Sequence, residues 1–394
     1  MSTLESQADL LFNNLAGWET DVLKRMGKRI GKIGKMSLAD VKTINNIVAV
    51  KQDMAAVTKE LAEITGYDIA EVEKMYADLL AEQHLANKPL YDYRNRAFVP
   101  FEDNIQLQAI AKAYATATDG TMINLSKTSV LKMIDENGVV RPMQQAYVDV
   151  LDKATMQVAT GTTDFHTAMR ESIKALGGNG IRVDYGNGYT RRMDTAIRQE
   201  ILYGAKQASV AYNELIGQEL GCDGYEIDYH ANPRPSHIFM QGKQYVIGKT
   251  QTINGIEFVG FDEPDPESDD KLSASKALEQ YNCYHYKTPI ICGISEPRYS
   301  KSELAKLNEQ NKKTYEIDGK KYTGYEVTQA QRRIETAVRE QKSIKAMAQA
   351  DGDDGLVKEC NAKIKAYQNK YDRISEKTGI TGDKKRMSVV RSGK

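Results

Sequence analysis

The chain has 394 residues, of which 41% are hydrophobic and 27% charged, with 54 Lys+Arg against 54 Asp+Glu; this suits a globular protein of two or three domains, each with its own core. No apolar run reaches bilayer length, the opening Met-Ser-Thr-Leu-Glu-Ser-Gln-Ala-Asp lacks the pattern of a secretory signal, and four cysteines at 222, 283, 292 and 360 form no disulfide framework. The expectation is synthesis in a reducing cytoplasm, without bridges and with no membrane partner.

Residues 3–90 read as helices. Leu10, Leu11, Leu15, Trp18 and Val22 recur at helical steps, as a buried stripe does. Lys24, Arg25, Lys28, Arg29, Lys32 and Lys35 follow, scattered around the cylinder as on a solvated face. Ser37 with Asp40 resembles a capping box. Another helix follows Asp68 through Val72, Met75, Tyr76 and Leu79, and Pro89 to Pro100 breaks the pattern. From 104 to 176 the pattern is again helical, interrupted by Gly-Val-Val-Arg-Pro at 138–142.

At Gly177-Gly-Asn-Gly180 the texture changes. Ile181–Tyr185 and Tyr189–Arg191 flank Gly186-Asn187-Gly188 as a β-hairpin does. A long helix then buries Ile197, Ile201, Ala205, Ala208, Tyr212 and Leu215 on one face, and Gly221 stops it. Short strands are expected at Tyr225–His230, Gln244–Ile247, Ile256–Val259 and Thr288–Cys292. The loop Asp262 to Asp270 carries six carboxylates; without the ligand spacing of a calcium loop, it reads as solvent-exposed. After residue 300 the chain returns to helix. Two helices, 326–349 and 356–377, flank a turn at 351–355; Val357, Cys360, Ile364, Tyr367, Tyr371 and Ile374 make an a/d seam. From residue 301 on there are 22 Lys+Arg against 14 Asp+Glu, so a basic end tops an acidic body. A solvated face explains this as well as nucleic acid does.

The chemistry concentrates in His230-Ala-Asn-Pro-Arg-Pro-Ser-His237 and in Asn282-Cys283-Tyr284-His285, which hold three of the five histidines. Cys283 and His285 point to one side of an extended segment. With His230 and His237 they make a chemically complete zinc set, although His-x₆-His is no standard ligand pair. A metal-free nuclease is the second reading, with His237 and His285 as acid and base and Arg234 and Lys243 nearby for phosphate. Cys283 as a nucleophile lacks an orienting third group. No phosphate loop, dinucleotide fingerprint, His-Glu-x-x-His or G-x-S-x-G elbow occurs. The simplest reading is a packed domain heart. There Asn282 and the histidines satisfy loop backbone, Pro233 and Pro235 hold the loop extended, and Gly242 permits a turn.

These two motifs, with Gln241-Gly242-Lys243 after the first and Pro289, Gly293-Ile-Ser-Glu-Pro297 and Tyr299 after the second, resemble the minor capsid (minor head) proteins of tailed phages and prophages of Gram-positive bacteria. That group is related to the Mu F-like head morphogenesis proteins. The hairpin at 181–190, the helix after it, Leu220–Asp223, Tyr325–Arg339 and Glu376–Gly379 share the family's texture, so the resemblance covers most of the chain. Met240 stands where the family usually has Trp, Tyr284 where it has Arg, and the acidic loop with the helix at 271–281 replaces a Gly-rich approach.

The resemblance implies a low-copy structural protein of the virion, near the portal inside the head, that aids head assembly or DNA delivery without being an enzyme. Its partners would be the portal protein, capsid proteins and packaged double-stranded DNA. The expected fold is α+β: an N-terminal helical region (1–103), a helical connector (104–180), a Mu F-like core (181–300), and a C-terminal helical hairpin with a basic tail (301–394). His230, Arg234, Pro235, His237, Gln241, Gly242, Lys243, Asn282, Cys283 and His285 are expected to matter as architecture, with no cofactor unless they hold zinc. The alternatives are a virion nuclease or metal enzyme at that cluster, and a DNA-binding module working through Lys384, Lys385 and Arg386.

Overall fold

The computed structural model describes residues 3–33, 69–125, 131–134, 138–143, 164–185, 189–280 and 283–389, with isolated positions at 56, 59–60, 145–146, 148–149 and 153. The Ser37–Asp40 box, the Gly186–Gly188 turn and Asn282 lie outside these residues, as do the side chains of Leu10 and Leu11. The fold is α+β and helix-rich, with three small sheets.

Helix α1 (Thr3–Ile33) buries Leu15, Trp18 and Val22 as the periodicity predicts. Helices α2 (Ile69–Ala86), α3 (Lys88–Tyr93) and α4 (Ile105–Leu125) follow. The stretch read as a helical connector interrupted at 138–142 then departs from expectation. It contains strands β1 (Leu131–Ile134) and β2 (Val140–Pro142), which pair antiparallel around Gly138 at φ 80. Local apolar spacing misses them because their partner is distant: β1 also pairs with β3 (Arg182–Asp184), and Met133 is fully buried. Helix α5 (Phe165–Asn179) lies between, and β4 (Thr190–Arg192) completes the sheet order β2-β1-β3-β4.

Helix α6 (Met193–Glu219) is the central post. Ile197, Ile201, Ala205, Ala208 and Tyr212 are buried on one face, and Gly221 ends the helix with φ 57. Against it pack α2 and α4, joined where the Tyr76 hydroxyl donates to the Ile201 carbonyl (2.7 Å) and meets Thr118 (3.0 Å).

A mixed five-stranded sheet follows, built from β5 (Gly224–Ile227), β6 (Gln244–Val246), β7 (Gln251–Ile253), β8 (Ile256–Gly260) and β9 (Lys287–Ile290) in the order β7-β8-β6-β5-β9. All pairs are antiparallel except β6 with β8. Helix α7 (Ala274–Glu279) starts at Ser273, whose hydroxyl caps Lys276 N–H, and buries Ala274 and Ala277 beneath the sheet's own small core.

Helix α8 (Lys301–Lys312) opens with a capping box at Ser300 and Glu303. Next comes a hairpin absent from the sequence reading, β10 (Thr314–Ile317) and β11 (Lys320–Thr323). Asp318 and Gly319 turn it with φ 53 and 77, the left-handed pair that a two-residue turn needs. The last two helices are α9 (Gly324–Asp351) and α10 (Asp354–Thr378). They pack as the seam predicts, with Cys360, Tyr371 and Ile374 buried.

The first described helix meets the last described segments. Helix α1 lies against both α9 and α6, in one hydrophobic cluster running from Ala8 to Cys360. A Cβ on Gly27 would come within 2.6 Å of the Met347 carbonyl oxygen, so glycine permits the α1–α9 approach. A buried charge network crosses the same junction. Arg192 donates to Glu19 at 2.8 Å, and Asp194 lies 3.3 Å from Arg339 and 3.8 Å from Arg192. Asp9 pairs with Arg198 at 2.5 Å and with Arg386 at 3.4 Å. Burial works against the ionised form of Asp194, but Arg339 and Arg192 outweigh it and lower its pKa. Burial raises Glu19 against the pull of Arg192.

Removing one partner of such a network leaves another charge buried and unpaired. Arg192→Ala should cost about 3–5 kcal/mol in denaturant unfolding. Lys74→Ala, which removes an exposed pair with Asp78, should stay within about 0.5 kcal/mol of the wild type.

Candidate functional site

The two histidine motifs converge beneath the five-stranded sheet. The chain leaves β5 at Ile227, passes Asn232 at φ 54, and reaches Arg234, which adopts the extended conformation that a following proline demands. Pro235 opens a 3₁₀ turn, Pro235–Met240, that delivers His237 inward. Gly242 follows at φ 66, as the turn reading expects, and its N–H returns to the Ile227 carbonyl at 2.9 Å. From the other side, α7 ends before Gln280, and Cys283 and His285 lie on the extended approach to β9.

The sequence candidates meet there. Cys283 Sγ and His285 Nδ1 are 3.5 Å apart. The ring centroids of His230 and His285 lie 4.1 Å apart, and those of His237 and His285 5.4 Å. One ligand-type atom from each of His237, Cys283 and His285 lies within 4.8 Å of the other two. All three side chains are buried.

Gln241, fully buried, is the hinge pin. Its Oε1 accepts from His230 N–H at 3.0 Å and faces His285 Nε2 at 3.0 Å. Because a backbone N–H can only donate, the atom facing His285 is the amide oxygen, and His285 carries its proton on Nε2. Gln280 repeats the device: its Oε1 accepts from Arg234 at 3.1 Å and faces His237 Nε2 at 2.8 Å. An arginine also only donates, so His237 too is protonated on Nε2. In both rings Nδ1 keeps the lone pair.

The electrostatics favour neutral groups. Burial, with His230 and His237 alongside, holds His285 down to about 2. Burial also lowers His237 and raises the Cys283 thiol. Burial lifts Asp228, which accepts from Tyr286 N–H at 2.7 Å, to about 7.

Sequence reasoning missed four residues here. Gln280 holds His237 and Arg234 together. Lys206 reaches from α6 to the carbonyls of Leu278 (2.7 Å) and Cys283 (3.1 Å). Asp228 anchors Tyr286. The acidic loop is exposed at Asp262, Glu267, Asp269 and Asp270, as read, but Asp265 is an exception: it is 2% exposed, accepts from the Tyr245 hydroxyl at 2.7 Å, and faces Lys243 at 3.5 Å. Lys243 therefore ties down the loop, aided by Glu267 at 2.9 Å. The only signal in the sequence was the single lysine closing Gln-Gly-Lys before six carboxylates. A cleft of ≈ 670 Å³ opens between α6 and this site, with Lys206, Gln280, Cys283, Tyr284 and His285 among its lining residues.

Lys384, Lys385 and Arg386 lie far along the chain, on a short 3₁₀ turn. Lys384 is exposed and pairs with Asp372 at 2.6 Å. Lys385 is exposed, while Arg386 turns inward to Asp9 and Asp383.

The chain belongs to the family Phage minor capsid protein 2, whose model matches residues 2–373. No curated protein matches the chain, and no solved structure does. Membership gives it a structural role in the capsid and a place in the virion among other phage head proteins. Among the described residues no helix is long and apolar enough to cross a membrane.

Replacing Gln241 by leucine keeps the volume but removes the acceptor of one buried donor, His285 Nε2–H, and one partly buried donor, the His230 N–H, with about 1–3 kcal/mol lost for a buried donor left unsatisfied. Gln241→Leu should lower unfolding stability by about 2–4 kcal/mol, read as a shift in the urea midpoint at unchanged slope.

Proposed function

We propose that the chain is a low-copy minor capsid protein seated at the portal vertex inside the phage head, where it aids head assembly or DNA delivery and catalyses no reaction. The family match over nearly the whole chain carries this reading. The interior of the histidine site supports it. Burial disfavours the charged form of its two amide-locked histidines, and their Nε2 protons go to glutamine oxygens rather than to the carboxylate that a general base uses for orientation. Apolar surface supports it from outside. Leu85, Tyr93, Val99 and Ile105 are all exposed along 85–105, with Ile105 at 81%.

The cleft beside Cys283 and His285 favours one rival, a virion-associated nuclease. A DNA-binding module at the C-terminal turn has less to work with, because Arg386 is committed to Asp9. Its binding would fall steeply with salt, whereas docking through apolar faces would not.

Quantitative mass spectrometry of purified, DNA-filled particles tests the proposal. The expected result is a reproducible copy number at or below that of the portal protein. Absence of the chain from mature particles would overturn it.

A further inference from the structure

We propose that His237, Cys283 and His285 bind a zinc ion, with His237 Nδ1, Cys283 Sγ and His285 Nδ1 as ligands and the fourth position supplied from the adjacent cleft. This inference concerns the chain itself and stands whether or not the protein sits at the portal.

The donor set is that of zinc, a borderline-soft ion taken by imidazole and thiolate, rather than of calcium or magnesium, which take oxygen. The geometry is close to assembled. Bonds of about 2.3 Å to sulfur and about 2.05 Å to nitrogen, at a tetrahedral angle, put S and N about 3.6 Å apart. Cys283 Sγ and His285 Nδ1 stand at 3.5 Å. One ligand-type atom from each of the three residues lies within 4.8 Å of the other two, not far from the roughly 3.4–3.6 Å between ligands of a tetrahedral zinc site.

The tautomers are already those of ligands. A metal-bound histidine usually donates its other ring N–H to a carboxylate or carbonyl oxygen, which fixes the ring and raises its basicity. Gln241 Oε1 does this for His285, and Gln280 Oε1 does it for His237. Each glutamine oxygen is itself oriented by a second donor that cannot be reversed, the His230 backbone N–H in one case and the Arg234 guanidinium in the other. A packed core asks only that each histidine find one partner. His84, elsewhere in the fold, has both ring nitrogens on oxygen, Nε2 on the Val99 carbonyl at 2.8 Å and Nδ1 on the Tyr212 hydroxyl at 3.4 Å. In this cluster the two histidines share one tautomer, and a buried cysteine, with its Sγ 3.5 Å from His285 Nδ1, stands where an oxygen partner would be.

The cleft supplies the rest. Its wall includes Cys283 and His285, so solvent can reach the fourth corner. On binding, the thiol loses its proton to solvent as the Zn–S bond forms, and no oxidant or reductant is required. Lys206, held on the Cys283 carbonyl at 3.1 Å, places a positive charge beside the resulting thiolate.

The test uses the full-length chain, purified without chelator and analysed by elemental mass spectrometry, then loaded with Co²⁺ after metal removal. The expected result is about one zinc per chain. The cobalt form should show tetrahedral d–d absorption and a thiolate-to-cobalt charge-transfer band. Cys283→Ser should abolish that band although Cys222, Cys292 and Cys360 remain. Gln241→Ala and Gln280→Ala should each weaken zinc binding by about 10–100-fold while leaving the band in the loaded protein. A wild-type chain that takes up neither zinc nor cobalt overturns the proposal, and this readout depends on no variant's folding. A band that persists in Cys283→Ser overturns it too, as does stoichiometric copper or iron in place of zinc.

Discussion

The buried charge network at Arg192 is the constraint on which the rest of the structure depends. Glu19 comes from the first helix, Arg192 and Asp194 from the hairpin end that starts the central helix, and Arg339 from the penultimate helix. Charges this deep are tolerated only when their partners are held in place, so the network admits one arrangement of three segments that are distant in the chain. Arg386 adds the last described turn of the chain through Asp9. With these segments clamped, α6 is a fixed post, and Lys206 on it holds the backbone of the Cys283 segment.

The small sheet hangs from that post. Its core is separate from the large one and modest, built around Ile227, Met240, Tyr245 and Cys283. Polar devices make up for its size: Gln241 and Gln280 bind the histidine loop to the Cys283 segment, and Lys243 with Tyr245 binds the acidic loop through Asp265. Met240, where the resemblance leads one to expect Trp, is fully buried in this core. Tyr284, in place of Arg, lines the cleft and leaves that position without a cation.

Much of this was legible in the sequence. The stripes of α1 and α6 and the seam of α10 could be read because a helix buries residues at local spacing. Gly221 and Gly242 could be read because their backbone needs a left-handed φ. Two hairpins were harder. Asp318-Gly319 is a turn signal that the surrounding charged residues obscured, and β1 takes its place only because β3, some fifty residues on, pairs with it. The meeting of the first described helix with the last described segments left no local trace, since Glu19, Asp194 and Arg339 look individually like surface residues. In the site, His237, Cys283 and His285 were visible because those residue types are rare here. Gln280, Lys206 and Asp265 were not, because their role comes from position alone.

Helices α1, α6 and α9 should then behave as one cooperative unit closed by buried charge. Native-state hydrogen exchange of the intact chain across sub-denaturing urea tests it most directly. Core amides of residues 3–33, 193–219 and 324–351 should open together, with one free energy and one urea dependence. If the first helix exchanged freely while the other two kept full protection, that cooperativity would be contradicted.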